Sequence, residues 1–149
     1  SNLCIGVAGY PETHFEAPHA TADLRHLYEK VQAGADYVVT QMFFDNRKYF
    51  DFVKKCQYHN ITVPVIPGLK ILTSKEQLDS LPKNFYLTMP HSLVEQVEAA
   101  KDKKDVQEIG IQWALKQTEE LLNHKVPAVH FYVMGNPAPV VEVIKRLRR

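Results

Sequence analysis

The sequence predicts an α/β protein of four consecutive β/α units with parallel strands. Three observations lead there. First, Tyr37 to Asp45 (YVVTQMFFD) is a nearly unbroken apolar run bounded by Gly34 and by Asp45-Asn46. Such a run reads as a strand buried on both faces, which is the situation of a parallel sheet. Second, short apolar runs alternate with segments of helical periodicity along the chain, and that order gives parallel strands joined by right-handed crossovers. Third, 149 residues over four units is about 37 residues each (149/4), close to the spacing of an eight-unit barrel of about 250 residues. Four parallel strands alone would leave two open edges. The chain is therefore either a compact open α/β domain or half a barrel whose other half lies elsewhere.

The elements follow in order. Leu3 to Gly9 forms a first core strand, ended by Tyr10-Pro11, and Glu12 to Ala20 is a loop. Thr21 can cap a helix with Asp23 in its first turn, where the helix dipole favours a carboxylate. Leu24, Leu27, Tyr28 and Val31 keep helical spacing, and Gly34 suits the stop. Ala35 to Phe44 is the second strand. Asp45 or Asn46 then caps a helix whose apolar face is Tyr49, Phe50, Val53 and Cys56, and His59-Asn60 ends it. Ile61 to Ile66 is the third strand, with Pro67-Gly68 turning the chain out of it. A short helical piece is expected from Ser74 to Ser80, and Pro90 opens a helix carrying Leu93, Val94 and Val97.

Asp102 caps the longest helix, about Lys103 to His124, with Val106, Ile109, Trp113 and Leu121 inward. Gly110 in its middle costs about 1 kcal/mol against Ala and so marks close packing. Pro127 to Met134 is the fourth strand, with His130 as a core histidine. Asn136 caps a last helix that has Pro137 at its first position and buries Val140, Val141, Ile144 and Leu147.

Composition narrows the function classes. The net charge of +1 gives no electrostatic case for nucleic acid or for an anionic membrane. No apolar stretch approaches the roughly 20 residues that span a bilayer. Cys4 and Cys56 both sit in apolar patterns and read as buried thiols, so the reducing cytoplasm is the expected location. The seven histidines are scattered, and no metal site is expected. Ser1-Asn2 leads at once into the apolar run from Leu3, so a longer parent chain is expected.

Ligands of parallel β/α proteins bind at the carboxyl ends of the strands. Those ends are Gly9 to Glu12, Gln41 to Asp45, Gly68 to Lys70 and Tyr132 to Asn136. They hold glycines, aromatics and an amide but few charges, which suits a flat, largely neutral ligand. Gly-rich phosphate loops of the GxGxxG or GxxxxGK[ST] kind are absent, as is a GxSxG elbow. An amide such as Gln41 near a buried strand end needs a partner. It is either satisfied by neighbouring backbone or faces a ligand.

The segments GVAGYPETH, DLRHLYEKVQAGADYVVTQMFFD, VPVIPG and HFYVMGN, in this order and spacing over nearly the whole chain, resemble the second half of methylenetetrahydrofolate reductase. TQ-x-FFD, the IPG strand and the HFY strand are specific as a set. The resemblance implies the second half of a (β/α)8 TIM-type barrel, with residues 1–149 as one half-barrel domain. It implies FAD as cofactor, NAD(P)H as co-substrate and a reduced folate as substrate, with 5,10-methylenetetrahydrofolate reduced to 5-methyltetrahydrofolate. A homo-oligomer is expected.

The resemblance also implies site residues. Tyr10, His14 and Ala17 fall in the FAD-contacting loop. Asp23 and Lys30 match positions that hold the adenosine and diphosphate of FAD, beside their plain readings as a first-turn acid and a solvated helix face. His26 stands where the family can present an amide, and Glu29 where some members carry a basic residue. Gln41 matches a glutamine shared by pterin and nicotinamide, Gln77 a second folate-contacting glutamine, and Leu81 a residue that covers the substrate. Asn136 stands where some members have Arg, and is the safer as a helix cap; Asp45 is likewise a cap rather than a catalytic acid. The family's acid–base residues come from the first half of the barrel, so no catalytic residue is assigned in this chain, and alone it is expected to be inactive. The alternatives are a non-catalytic α/β module, a self-associating half barrel, and an unrelated barrel enzyme in which Gln41 is merely structural.

Overall fold

The computed structural model describes residues 3–12 and 20–148. Its described elements run β1 (Gly6–Gly9), α1 (Ala20–Gln32), β2 (Tyr37–Thr40), α2 (Asn46–Tyr58), β3 (Val65–Ile66), β4 (Gly68–Leu69), α3 (Gln77–Phe85), α4 (His91–Ala99), α5 (Lys103–Asn123), β5 (His130–Phe131) and α6 (Ala138–Leu147). Every strand pairing is parallel. β1 pairs with β2 in the register Gly6 to Tyr37, β2 with β3 as Val38 to Val65, and β4 with β5 as Gly68 to His130.

The two small sheets meet at Pro67. Sequence reading placed a turn out of the strand at Pro67-Gly68; instead the chain runs straight on and changes partner there. Proline has no N–H to give to a ladder, but its carbonyl accepts from the His130 N–H at 2.9 Å. Residues before Pro67 pair with β2, and residues after it pair with β5.

Alternation gives the sheet two unlike faces. Val7, Val38, Val65, Leu69 and Phe131 turn to the helices and pack with Leu24 and Leu27 of α1, Tyr49, Phe52 and Cys56 of α2, and Leu121 of α5. Burying each such side chain contributes about 1.5–3 kcal/mol. On the opposite face Gly6, Ala8 and His130 are exposed, and Tyr37, Val39 and Ile66 are only half-buried. His130 is thus not the core histidine that the sequence suggested: its strand position puts it on the face without helices, edge-on to Tyr132 at 4.6 Å.

A second cluster around Phe44, Leu72, Leu81, Leu93, Val97 and Val106 joins α3, α4 and α5. A third, Ile71, Ile111, Ala114 and Val143, seats α6 on α5. Gly110 lets α5 approach the chain after β4, since a Cβ there would collide with the Leu72 carbonyl oxygen.

The strands are shorter than their apolar runs. After Thr40 the run leaves the ladder but stays buried, because α5 satisfies its backbone from the side. The Trp113 indole donates to the Phe44 carbonyl at 3.0 Å, and the Gln117 amide donates to the Phe43 carbonyl at 3.3 Å. Leu3 and Ile5, read as core, are 75% and 48% exposed, and Cys4 is exposed too. No described element packs on the outer side of β1.

Helix limits also moved. α1 starts at Ala20, so Thr21 lies within its first turn rather than at its cap. α3 runs through Pro82 to Phe85, beyond the expected Ser80, and closes when Tyr86 takes φ 54° and donates its N–H to the Pro82 carbonyl. Asp45 caps α2, as read, accepting from the Arg47 N–H at 3.0 Å. In α6, Pro139 and Val143 are buried, while Val141 and Ile144 are 44% and 38% exposed. Helical spacing fitted more than one face, and only packing on α5 selects the one buried.

Candidate functional site

Two clefts open at the carboxyl ends of the strands. The first, about 290 Å³, is lined by Ala8, Gly9 and Tyr10 from the end of β1, by Asp23, His26, Leu27 and Lys30 from α1, and by Phe52. Tyr10, Asp23, His26 and Lys30 therefore lie together, although Tyr10 and Asp23 are thirteen positions apart. The helical spacing of Asp23, His26 and Lys30 places them along one face of α1. Tyr10 and Asp23 are half-buried, and His26 and Lys30 are exposed. Glu29 is not among the lining residues and instead pairs along the helix with Arg25 at 3.5 Å. His14 and Ala17 lie outside the described residues.

The second cleft, about 460 Å³, lies between α3, the start of α5 and the chain after β5. Lys70, Gln77, Ser80, Leu81, Lys103 and Asn136 are among its lining residues. Gln77 is half-buried, and its Oε1 accepts from the Thr73 N–H at 2.7 Å. Leu81, only 5% exposed, belongs mainly to the second core cluster. Asn136 acts as the expected cap, its Oδ1 accepting from the Ala138 N–H at 3.0 Å.

Gln41 ends the row Tyr37, Val39, Gln41 on the face without helices. Its N–H donates to the Gly9 carbonyl at 2.7 Å, which fixes it beside the end of β1. Its side-chain Oε1 accepts from the Met42 N–H at 3.0 Å. The reading of an amide satisfied by neighbouring backbone holds for its oxygen. Neighbouring backbone satisfies the amide oxygen, while no described residue accepts from Nε2. Gln41 lines neither cleft.

Thr40 and Tyr132 join the strand ends. The Thr40 hydroxyl accepts from the Gly68 N–H at 2.9 Å, and the Thr40 carbonyl accepts from the Tyr132 hydroxyl at 2.8 Å. Gly68 is needed here, because a Cβ would lie 2.3 Å from the Thr40 carbonyl oxygen. Burial pushes the Tyr132 phenol up, and the Tyr10 phenol adds to the shift. Glu12 ties the loop after β1 to the chain before α4, accepting from the Thr88 hydroxyl at 2.6 Å and the Thr88 N–H at 3.0 Å.

Lys70 is the residue that sequence reading passed over. It follows β4 directly and is 8% exposed. No described residue hydrogen-bonds or ion-pairs with its ammonium, and burial pushes its pKa down. The available signal was a single cation inside the apolar stretch Ile66 to Leu72. Among the described residues no group of His, Cys, Asp and Glu could hold a metal ion.

Comparison with known proteins places this geometry. The family model described as methylenetetrahydrofolate reductase matches residues 1–148. The chain belongs to the methylenetetrahydrofolate reductase family. It is 35% identical to a probable methylenetetrahydrofolate reductase (NADPH) of Caenorhabditis elegans over 96% of its own length and 22% of that protein's. It is 32% identical to the 5,10-methylenetetrahydrofolate reductase of Escherichia coli (strain K12) over 88% of its length and 45% of the relative's. The chain therefore spans less than half of either reductase. Among solved structures, a protein from Clostridium thermocellum described as binding two copies of 5-methyl-5,6,7,8-tetrahydrofolic acid shares the fold, with a TM-score of 0.61 and 19% identity over 96% of this chain and 51% of that one. Reductase relatives thus stand beside a chain whose described helices include none long and apolar enough to cross a membrane.

Proposed function

We propose that this chain is the second half of a (β/α)8 TIM-type barrel, a single half-barrel domain over residues 1–149. The complete protein would reduce 5,10-methylenetetrahydrofolate to 5-methyltetrahydrofolate with NAD(P)H and FAD. The observation that carries this reading is the pairing of the two clefts at the strand ends. One gathers Tyr10, Asp23, His26 and Lys30, and the other Gln77 and Leu81. The half-barrel reading is supported by the sheet face without helices and by where apolar side chains are exposed. Leu3, Ile5 and Tyr28 stand beside β1 and α1, and Val133, Met134, Val141 and Ile144 beside β5 and α6. These are the first and last elements, where a second half would dock. The free cysteines agree with a reducing cytoplasm.

The first cleft fits the polar part of FAD. Tyr10 offers an aromatic phenol, Lys30 a cation for the diphosphate and Asp23 an acceptor for hydroxyls. Bound there, FAD would supply the redox chemistry, taking a hydride from NAD(P)H and delivering it to the folate. The chain's own part is positioning. Gln41 Nε2 can donate to a flat partner without placing charge beside it, and Gln77 and Leu81 would hold the folate from the second cleft. Relatives named for NADPH and for NADH support a pyridine nucleotide co-substrate. The acid–base groups would come from the other half, so the chain alone would be inactive.

The test is Gln41→Ala in the complete protein, with each half-reaction followed separately by flavin absorbance. Loss in both is expected. An unchanged folate half-reaction would overturn the role of Gln41, and a complete protein that retains no flavin would overturn the cofactor. The exposed apolar edges also fit a second reading, two copies of the chain closing on each other. A monomer in dilute solution with unchanged secondary structure would dismiss it.

A further inference from the structure

Lys70 is only 8% exposed as a residue, with its stem buried and its ammonium reaching the cleft. An ammonium that gives up part of its hydration there is stabilised by a partner of opposite charge or by strong acceptors. Lys70 has neither in the described chain. Its position follows from the sheet. Ile66, Gly68 and Lys70 alternate with Val65 and Leu69, which face the helices. Lys70 therefore sits on the ligand side, just past the carboxyl end of β4, in the cleft that holds Gln77 and Leu81.

The charge of this cleft is one-sided. Its lining includes Lys70 and Lys103 and no Asp or Glu. Lys103, at the exposed start of α5, already acts on Glu76 outside the cleft, whose carboxyl it helps to hold low. Among the described residues, Lys70 is the cation of this cleft with no such neighbour. The other polar side chains in the lining, among them Gln77, Ser80, Asn84, Gln107 and Asn136, are uncharged. The cleft thus fits a ligand that is apolar and flat over part of its length and carries an anion.

We infer that Lys70 is a specificity-determining residue that binds a carboxylate of the substrate, the glutamyl end of the reduced folate, as the anion that completes the second cleft. The inference rests on the folate reading above and deepens it. A reduced pterin ring is neutral, and the glutamyl group carries the negative charge of the molecule. Asn136 caps α6 and offers no charge, so the cation comes from the strand end.

The experiment uses the complete enzyme, wild type and Lys70→Met and Lys70→Arg variants. Oxidation of 5-methyltetrahydrofolate is compared with oxidation of 5-methyltetrahydropteroate, which lacks the glutamyl group. NAD(P)H oxidation with menadione as acceptor serves as a reaction without folate. Wild type should prefer the glutamylated substrate, and K70M should raise its KM about tenfold or more, as expected for loss of a charged hydrogen bond. The pteroate KM and the menadione reaction should not change, and K70R should keep most of the preference. Equal weakening of both substrates by K70M would overturn the proposal, as would impairment of the menadione reaction. If K70M does not fold, the wild-type comparison still decides, because equal KM values for the two substrates overturn the proposal without any variant. Absence of folate turnover in the wild type would instead overturn the reductase reading.

Discussion

Thr40 and Tyr132, 92 positions apart, share a hydrogen bond of 2.8 Å from the Tyr132 hydroxyl to the Thr40 carbonyl. The Thr40 side chain meanwhile takes the Gly68 N–H at 2.9 Å. One fully buried residue thus links the end of β2, the start of β4 and the chain after β5, where the two small sheets meet. Thr40→Val keeps the shape of the side chain but leaves the Gly68 N–H without its acceptor, and should cost about 1–3 kcal/mol. Tyr132→Phe should cost about 1 kcal/mol. Urea unfolding of the single and double variants measures both, and the double variant should cost less than the sum if the contacts act as one unit.

Gly110→Ala separates helix propensity from packing. In an exposed helix the change would stabilise by about 1 kcal/mol. Here the new Cβ would meet the Leu72 carbonyl at 1.9 Å, so α5 must move away from the chain after β4. We expect destabilisation by about 1–3 kcal/mol, read as a fall in the urea midpoint. A gain in stability would mean that α5 is free to shift.

Asp45 gives a pH dependence of known sign. Its side-chain hydrogen bond to Arg47 is the main cause that holds its carboxyl below the ordinary 3.8. A depressed folded-state value means that the contribution is complete above 3.8 and is lost as pH falls through the lower folded value. Arg47 lies in solvent, so screening keeps the ion-pair part small. Asp45→Ala should cost about 1 kcal/mol at pH 7, chiefly as the lost cap of α2. The difference from wild type should shrink in unfolding titrations below pH 3.8.

The two thiols should behave differently. Burial pushes the Cys56 thiol up to about 12, and Cys56 is 1% exposed, whereas Cys4 is exposed. At pH 8 an alkylating reagent should modify Cys4 in the folded chain and reach Cys56 only in denaturant. Mass spectrometry of Cys4→Ser should find no fast-reacting thiol.

Val141 and Ile144 test the half-barrel reading. Both are substantially exposed here. If they dock against a second half, Val141→Asp and Ile144→Asp should each destabilise the complete protein by about 1–3 kcal/mol. Tyr58→Ser, 85% exposed and far from either edge in the element order, should stay within about 0.5 kcal/mol of wild type.

Much of this was legible in the residues themselves. Apolar periodicity located the helices, and local chemistry set the caps at Asp45, Asp102 and Asn136, because a cap depends on neighbours two or three positions away. Gly110 announced close packing because a glycine inside a long helix has a cost that something must offset. Asp23, His26 and Lys30 were named by the family resemblance, and the 3.6-residue repeat of α1 explains why they line one cleft. Tertiary structure decided the rest, wherever the deciding partner lies far along the chain. It placed the strand's change of partner at Pro67, since β5 is more than 60 residues away. It turned His130 outward, exposed Cys4, and selected which faces of α6 are covered. It also left Lys70 buried with no partner among the described residues, since burial and charge pairing are properties of what surrounds a residue in space and not of what precedes it in sequence.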